Sequence, residues 1–297
     1  MPSKWIEIAS PSVPAAEVAA EALRLRGPHV AAMLSLAAYD YQSDSEHIHQ
    51  LRVACRRGDA TLKAFRPLLG NKSAPLRKWL RRIRRAAGPA RNLDVLLAGM
   101  RKRRDADPNH TYLVARLQRK RIETQKALLK VNLSSQGGKF QQRLDRCLAV
   151  LAKKKNSRIT IGEFAQKALQ KASRPVLRMA GMQEPTLEQL HELRIAGKRL
   201  RYSIEIFSGA LDPNLRTELY PLVEKLQSRL GRMNDHATAQ ALLQRLLVGM
   251  PADSRAAYLA RCIADQYEAS QRMRGDFLSW WTPERVALLE SYLSTLK

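Results

Sequence analysis

The sequence predicts an all-α protein built from two related helical halves. Long segments rich in Leu, Ala, Arg, Lys and Gln, which favour helix, run between short breaks that contain glycine and proline. No segment alternates apolar and polar residues with the period of a strand. A sequence phrase that occurs twice predicts the two halves.

The breaks divide the chain into stretches of helical length, and each stretch is predicted to be helical. In chain order the breaks are SVP at 12–14, RPLLGNKSAP at 66–75, DADPN at 105–109, SSQGG at 134–138, GMQEP at 181–185, LDPN at 211–214, VGMPAD at 248–253 and WTP at 281–283. In the segment RKRRDADPN we expect a loop in which Lys102 and Arg103 are solvated.

The repeated phrase reads HQLRVACRR from His49 and HELRIAGKR from His191, 142 residues later. The match extends to Phe65 and Phe207, each sixteen residues after its histidine. Related halves commonly pack about a pseudo-twofold axis, which would bring their matching faces together.

A second repeated element supports the same division of the chain. GPARNLDVLL from Gly88 and GRMNDHATAQALL from Gly231 lie 143 residues apart, and in each the glycine is predicted to end a basic helix. Two elements at nearly one offset predict a single domain over 1–297 made of two halves. The halves are 13–152 and 160–297, joined near KKKNSRIT at 153–160.

The composition predicts a polyanionic partner. Lys and Arg exceed Asp and Glu by 52 to 27, a net charge of +25, and the pI is about 10.6. Nucleic acid, an anionic membrane surface and a phosphate polymer all fit this excess. Three widely separated cysteines, without metal-ligand spacing, fit a reducing compartment. With no signal peptide or span of ~18 apolar residues, we expect a cytoplasmic protein that does not enter a membrane.

On a helical wheel each repeated phrase has an apolar stripe and a basic stripe beside it. The apolar stripes are Ile48, Leu51, Ala54, Cys55, Gly58, Leu62, Phe65 and Leu69, then Leu190, Leu193, Gly197, Leu200, Ile204 and Phe207. The basic stripes are His49, Arg52, Arg56 and Lys63, then His191, Arg194, Lys198 and Arg201. Like charges at i and i+4 destabilise a helix, so we predict that the stripes bind an anion. The alternative is a pair of solvated basic flanks.

A second basic helix follows each phrase. LRKWLRRIRRAA at 76–87 has an apolar face of Leu76, Trp79, Leu80, Ile83 and Ala87. Its counterpart is PLVEKLQSRLG at 221–231. Six basic residues of the first helix cannot all face one site, so we predict binding by Arg82 and Lys225, which occupy matching positions, and by Arg229.

At these residues the chain resembles the CHAD family, the conserved histidine α-helical domain. The doubled H-x-L-R-[VI]-x-x-[RK]-R phrase with its Phe, and the glycine elements, carry a resemblance that covers about residues 13–297. It implies two four-helix bundles related by a pseudo-twofold axis, a central basic groove or pore, and inorganic polyphosphate as ligand. By motif position the binding residues would be His49, Arg52, Arg56, Arg57 and Lys63, then His191, Arg194, Lys198, Arg199, Arg201 and Tyr202.

The chain departs from the family pattern at two places. The first glycine element has Arg91-Asn92 where the family has Arg-Asp, and Asp59 stands where the second copy has Arg201, which predicts an asymmetric site. The ExExK motif of a triphosphate-tunnel catalytic domain is not found in the sequence. We therefore expect binding without catalysis or a cofactor, and polyphosphate granules as one place where the protein would act.

Two other functions compete with this interpretation. Glu46 and His49, like Glu188 and His191, form a Glu-x-x-His pair typical of di-iron carboxylate bundles, which would make the protein a metal-dependent phosphate enzyme. The neighbouring arginines disfavour a cation there, so we predict no metal. Nucleic acid also fits the net charge, but aromatic residues are not interleaved with the basic stripes. We expect weak, nonspecific nucleic-acid binding at low salt.

Overall fold

The computed structural model describes residues 3–41, 44–103, 105–154 and 158–294. Within these ranges the secondary structure is helical, without strands, which confirms the all-α prediction. The helices are α1 (Ala15–Tyr39), α2 (Glu46–Ala64), α3 (Arg66–Leu69), α4 (Ala74–Lys102), α5 (Pro108–Glu123), α6 (Gln125–Leu133), α7 (Lys139–Ala152), α8 (Ile161–Ala180), α9 (Leu187–Phe207), α10 (Tyr220–Leu247), α11 (Ser254–Trp280) and α12 (Pro283–Ser294). Residues 155–157 of the predicted junction, Arg104 of RKRRDADPN and residues 295–297 of the predicted second half lie outside the described residues.

Two helix boundaries were not predicted, the one between α5 and α6 at Thr124 and the one between α1 and α2. α1 ends at Tyr39 and α2 begins at Glu46, in a stretch that contains neither glycine nor proline. The Asp44 side chain supplies the signal, because its Oδ1 accepts a hydrogen bond of 2.7 Å from the Glu46 backbone N–H. A short polar side chain that satisfies a free N–H at a helix start favours that boundary.

The prediction that Gly88 and Gly231 end helices is wrong. Gly88 lies inside α4, which also continues through Pro89, and Gly231 lies inside α10. A glycine that ends a helix usually adopts positive φ, and neither of these does. Ala87 and Ala90, which precede and follow Gly88 and Pro89 in the sequence, are both buried. Tertiary packing of their side chains stabilises the helix through this point.

The prediction that the side chains of Lys102 and Arg103 are solvated is confirmed, because both are exposed, but the loop begins later than predicted. Lys102 is the last residue of α4. Arg103 is ion-paired with Asp265 of α11 and lies 3.3 Å from an oxygen of Asp105. Arg103 therefore keeps an exposed side chain while it contacts two carboxylates at the surface.

The apolar stripes of the two phrases lie in one large core. Every member of both stripes is buried, from Ile48 to Leu69 and from Leu190 to Phe207. The apolar face predicted for 76–87 is buried as well. This core contains side chains from α1 to α4 and from α6 to α9, and it is completed by parts of α10, α11 and α12. The predicted periodicity is therefore confirmed, and it fixes which sides of α2 and α9 are left for other contacts.

A second apolar core lies beside the first. It is built from the C-terminal part of α4, from α5, from the C-terminal part of α10 and from α11. Its buried members are Leu93, Leu96, Leu97, Met100, Leu113, Leu117, Ala239, Leu243, Leu246, Tyr258, Leu259 and Cys262. This core takes residues from both sides of the predicted junction, and the organisation into two four-helix halves stays a prediction.

Candidate functional site

The two repeated phrases lie side by side because α2 and α9 pack against each other. The rings of Phe65 and Phe207 meet edge to face, with centroids 5.4 Å apart, and Phe164 of α8 lies against both. Edge-to-face packing of buried rings stabilises a helix contact beyond the area it buries. The contact between the two phenylalanines brings the basic stripes of the two phrases together.

Half-buried basic residues of α2 and α9, together with Arg91 of α4 and the exposed Asp235 of α10, form a group that we call the central cluster. Its members are His49, Arg52, Arg56, Arg91, Arg194, Lys198, Arg201 and Asp235. Burial lowers the pKa of Lys198 to about 7, and the positive charges of Arg194, Arg56 and Arg201 act in the same direction. Arg56 comes from the first phrase and Lys198 from the second, so the two stripes share one electrostatic environment.

Two guanidinium groups of the central cluster each have a buried nitrogen without an acceptor. The Nε atoms of Arg56 and Arg194 are buried, and neither has a hydrogen-bond partner within the part of the chain that the structure describes. Burial lowers the pKa of Arg194, an effect that Asp235 opposes and Arg56 reinforces. A buried donor without an acceptor costs about 1–3 kcal/mol, so oxygen atoms of an anion would stabilise this arrangement.

Asp235 is the carboxylate whose negative charge acts on both Arg194 and Lys198. Loss of water around the group raises the pKa of Asp235, and Arg194, Arg91 and Lys198 oppose that shift. One carboxylate cannot compensate several guanidinium groups, and the central cluster keeps a positive charge. Sequence reasoning missed both Arg91 and Asp235 as site residues. Each lies in one of the repeated glycine elements, and that repetition was the available signal.

Arg52 is anchored whereas its counterpart Arg194 is not. Arg52 Nη1 donates to the Arg84 carbonyl of α4 at 2.9 Å. In the second phrase the direction reverses, because Gln227 Nε2 of α10 donates to the Arg194 carbonyl at 3.1 Å. Burial lowers the pKa of Arg52 to about 10, with Arg56, Arg84 and Arg91 adding to the effect. The Arg194 guanidinium is the more available of the two for a ligand.

The two histidines have different surroundings. Burial lowers the pKa of His49, as do Arg91, Arg56 and Arg52, while Glu46, whose Oε1 lies 3.9 Å from His49 Nε2, acts in the opposite direction. His49 is therefore neutral near pH 7 in the absence of a ligand. His191 is exposed, as is Glu188 of its pair.

Arg57 joins α2 to α9 through a buried carboxylate. Its Nε donates to Glu205 Oε2 at 2.8 Å, and the second oxygen of Glu205 accepts a hydrogen bond of 3.0 Å from Tyr220. The Glu205 side chain is fully buried. Arg26 lies behind this pair and donates to the Arg57 carbonyl at 3.3 Å. The geometry gives Arg57 a role in holding the two helices together, and its binding of phosphate stays a prediction.

Each phrase has an ion pair at matching positions, but the acidic and the basic residue have exchanged places. Lys63 Nζ lies 3.1 Å from Asp59 Oδ2, whereas at the equivalent positions Arg201 Nε lies 3.9 Å from Glu205 Oε1. Arg77 also contacts Asp59, at 3.0 Å. The predicted site residue Lys63 is half exposed and has its charge compensated. The departure at Asp59 thus makes the two sides of the site unequal in charge.

The remaining predicted residues lie outside the central cluster. Arg82 stacks over Trp79 at 5.8 Å, and Lys225 and Arg229 stack over Trp280 at 6.0 and 5.0 Å. Arg199 is exposed. Tyr202 is buried, with the Arg201 guanidinium 5.1 Å from its ring centroid. The structure therefore brings the inner residues of the stripes together, and of these five Tyr202 contacts a member of the central cluster, Arg201.

In the ranges that the structure covers, His, Cys, Asp and Glu side chains nowhere gather in a group of three or more that could hold a metal ion. In the same ranges no helix combines the length and apolar character needed to cross a membrane.

The fold and the central cluster define a class of protein, an all-helical one in which the basic residues of two repeated helices meet in a half-buried group. The family model of the CHAD domain matches residues 14–244, and the chain belongs to the CHAD domain family. Comparison with curated proteins gives no match.

Two solved structures share the fold. The crystal structure of the CHAD domain from the plant Ricinus communis superposes with a TM-score of 0.72 at 24% identity, covering 99% of this chain and 96% of that one. PptA from Streptomyces chartreusis superposes with a TM-score of 0.63 at 19% identity, covering 90% of this chain and 99% of that one. At these identities the likeness concerns the fold.

Proposed function

We propose that this protein binds inorganic polyphosphate at the central cluster and does not hydrolyse it. The observation that carries the proposal is the approach of Arg56 from α2 to Arg194 and Lys198 from α9, with unpartnered guanidinium nitrogens between the helices. Membership of the CHAD family, in which the doubled histidine phrase accompanies polyphosphate binding, supports the same ligand.

The chemistry of the cluster suits a linear phosphate chain. Polyphosphate carries closely spaced negative oxygens along its whole length, and a guanidinium group can meet two oxygens at once. Cations from two helices can engage successive phosphates of one chain, so the second contact forms at high effective concentration. Monomeric phosphate gains no such advantage. We expect the two phrases to form the two sides of one site, related by the pseudo-twofold axis that the repeat predicts but unequal in charge at Asp59 and Arg201.

The residues that would face the ligand support binding without hydrolysis. Most of them are arginines, which stay protonated and cannot move a proton during a reaction. A cluster of cations around Glu46 and His49 also disfavours a divalent metal ion. We expect elemental analysis to find no stoichiometric iron or manganese, and phosphate release assays to detect no phosphoanhydride cleavage. About two metal ions per chain, or turnover, would contradict this part of the proposal.

A competition experiment tests the ligand. Labelled long-chain polyphosphate is displaced from the full chain by unlabelled polyphosphate, by single-stranded DNA or by monomeric phosphate, at about 0.15 M salt. Unlabelled polyphosphate should displace the label at a concentration at least about tenfold lower than DNA or monomeric phosphate requires. Its affinity should fall steeply as the salt concentration is raised, because many contacts release counterions. DNA that competes equally or better would show that the protein is a nucleic-acid-binding protein instead.

A further inference from the structure

Three basic side chains surround the indole ring of Trp280, which belongs to α11. The cationic groups of Arg229 and Lys225 of α10 lie 5.0 and 6.0 Å from the ring centroid, and that of Arg285 of α12 lies 5.3 Å from it. We call these four residues the Trp280 site. Each cation is attracted to the negative face of the ring, but the three cations also repel one another.

Backbone carbonyls fix the direction of two of the three groups. Arg229 Nη1 donates to the Asp276 carbonyl at 3.2 Å, and Arg285 Nη1 donates to the Trp280 carbonyl at 2.8 Å. A guanidinium group has five N–H donors, so both arginines keep donors for another acceptor. Preorganised cations of this kind bind an anion with a smaller loss of side-chain entropy.

The charges of the Trp280 site are not compensated by carboxylates. In the residues that the structure describes, Lys225, Arg229 and Arg285 form no ion pair, whereas Arg57 pairs with Glu205. The acidic neighbour along α12 is Glu284. The pKa of Glu284 is lowered first by a hydrogen bond from the Thr282 side chain and only weakly by Arg285.

The indole itself supplies a further unsatisfied donor. Trp280 is 7% exposed, and its Nε1 has no hydrogen-bond partner within the ranges described. A buried indole N–H usually finds an acceptor. Three cations around one indole ring match the needs of a phosphate group, which presents several charged oxygens in a small volume.

We propose that the Trp280 site is a second anion-binding site, separate from the central cluster, that takes a phosphate-type oxyanion. Short condensed phosphates fit it best, because adjacent phosphoryl groups can reach the arginine of α12 and the two cations of α10 together. The central cluster and the Trp280 site use different faces of α10, since Asp235 faces the former and Lys225 the latter. The proposal stands independently of polyphosphate binding at the central cluster.

Tryptophan fluorescence of the full chain tests the proposal, with tripolyphosphate as the probe. The variant Arg56→Gln/Lys198→Gln removes charge from the central cluster and should keep the fluorescence response to tripolyphosphate. Lys225→Gln/Arg229→Gln should weaken that response at least about tenfold in apparent affinity while keeping the indole in place. A control of equal charge change, Lys126→Gln/Lys171→Gln, alters exposed lysines of α6 and α8 and should behave as the unaltered chain does.

Two further measurements make the assignment specific to Trp280. Trp280→Phe should abolish the response, and Arg285→Gln/Lys225→Gln gives the same information if the Phe variant folds poorly. Equal affinity in the Lys225→Gln/Arg229→Gln variant and its control would overturn the proposal, as would a response lost in Arg56→Gln/Lys198→Gln. If long-chain polyphosphate fails to bind but the Trp280 response persists, then only the proposed function of the central cluster is wrong.

Discussion

Phe65 and Phe207 occupy the same place in the two repeated phrases, and their rings contact each other with centroids 5.4 Å apart. Equivalent residues meet in this way when they lie close to an axis that relates two halves of a molecule. Beside them Arg56, Arg194 and Lys198 are brought within electrostatic reach. The contact between these two apolar side chains thereby positions the two basic stripes next to each other.

The first prediction separates the central cluster from the general basicity of the chain. Arg56→Glu/Lys198→Glu should weaken polyphosphate binding by about 3 kcal/mol or more, from lost contacts and new repulsion. Lys126→Glu/Lys171→Glu makes the same change of net charge on exposed side chains and should weaken binding much less. Fluorescence anisotropy with labelled polyphosphate measures both, and circular dichroism checks the helices. Equal losses in the two variants would show that net charge alone holds the ligand.

The second prediction concerns pH. Burial and neighbouring cations lower the pKa of Lys198 to about 7 in the free protein, and a bound anion favours the charged ammonium group and raises that pKa. Binding should therefore take up protons near and above neutral pH. Because the charged form binds better, affinity should be highest at low pH and fall as the pH rises through the pKa of the complex.

Calorimetry measures this proton uptake directly. Titrations in two buffers with different ionisation enthalpies should give different apparent binding enthalpies above pH 7. Lys198→Arg keeps the charge at all these pH values and should reduce the difference, leaving a smaller part from His49, whose pKa is also lowered by burial. Identical enthalpies in both buffers for the unaltered chain would contradict the prediction.

The third prediction tests the buried ion pair between α2 and α9. Glu205→Gln leaves the Arg57 guanidinium without its charged acceptor and should lower the free energy of unfolding by about 3–5 kcal/mol. Replacing both partners, in Arg57→Met/Glu205→Leu, should restore part of the loss because the unpaired guanidinium group of Arg57 is removed as well. Urea denaturation followed by circular dichroism measures both variants. A Glu205→Gln protein as stable as the original would show that the pair contributes nothing.

The fourth prediction compares two helical glycines. A Cβ at Gly197 would lie 2.4 Å from Gln227 Nε2 and 2.9 Å from a Leu226 methyl group, so Gly197→Ala should destabilise the protein by about 1–3 kcal/mol. A Cβ at Gly231 would meet no atom within 4 Å, so Gly231→Ala should stabilise the protein by about 0.5–1 kcal/mol. Thermal unfolding distinguishes the two. A shift of the same sign in both variants would contradict the packing around α9 and α10.

The sequence predicts the local structure well because helical periodicity reflects burial directly. Each side chain placed on an apolar stripe, such as Leu51 and Leu193, is buried. Helix ends were predicted less well, since a glycine such as Gly88 can end a helix or lie inside one, and tertiary packing decides between them.

A helical wheel describes a single helix, so it could not predict contacts between distant parts of the chain. The wheel placed Arg56 and Lys198 on equivalent faces, but it could not show that Arg91 and Asp235 approach the same cluster. It also could not assign Glu205 as the partner of Arg57, 148 residues away. Those contacts depend on how α2, α4, α9 and α10 are arranged in space.

The second apolar core has a consequence for synthesis on the ribosome. Leu97 of α4 and Leu113 of α5 are buried in the same core as Leu243 of α10 and Leu259 of α11. While the N-terminal part of the chain emerges, the leucines of α4 and α5 can cover one another but lack the partners that α10 and α11 supply. We therefore expect newly made chain to expose part of this apolar surface until most of the protein has been translated.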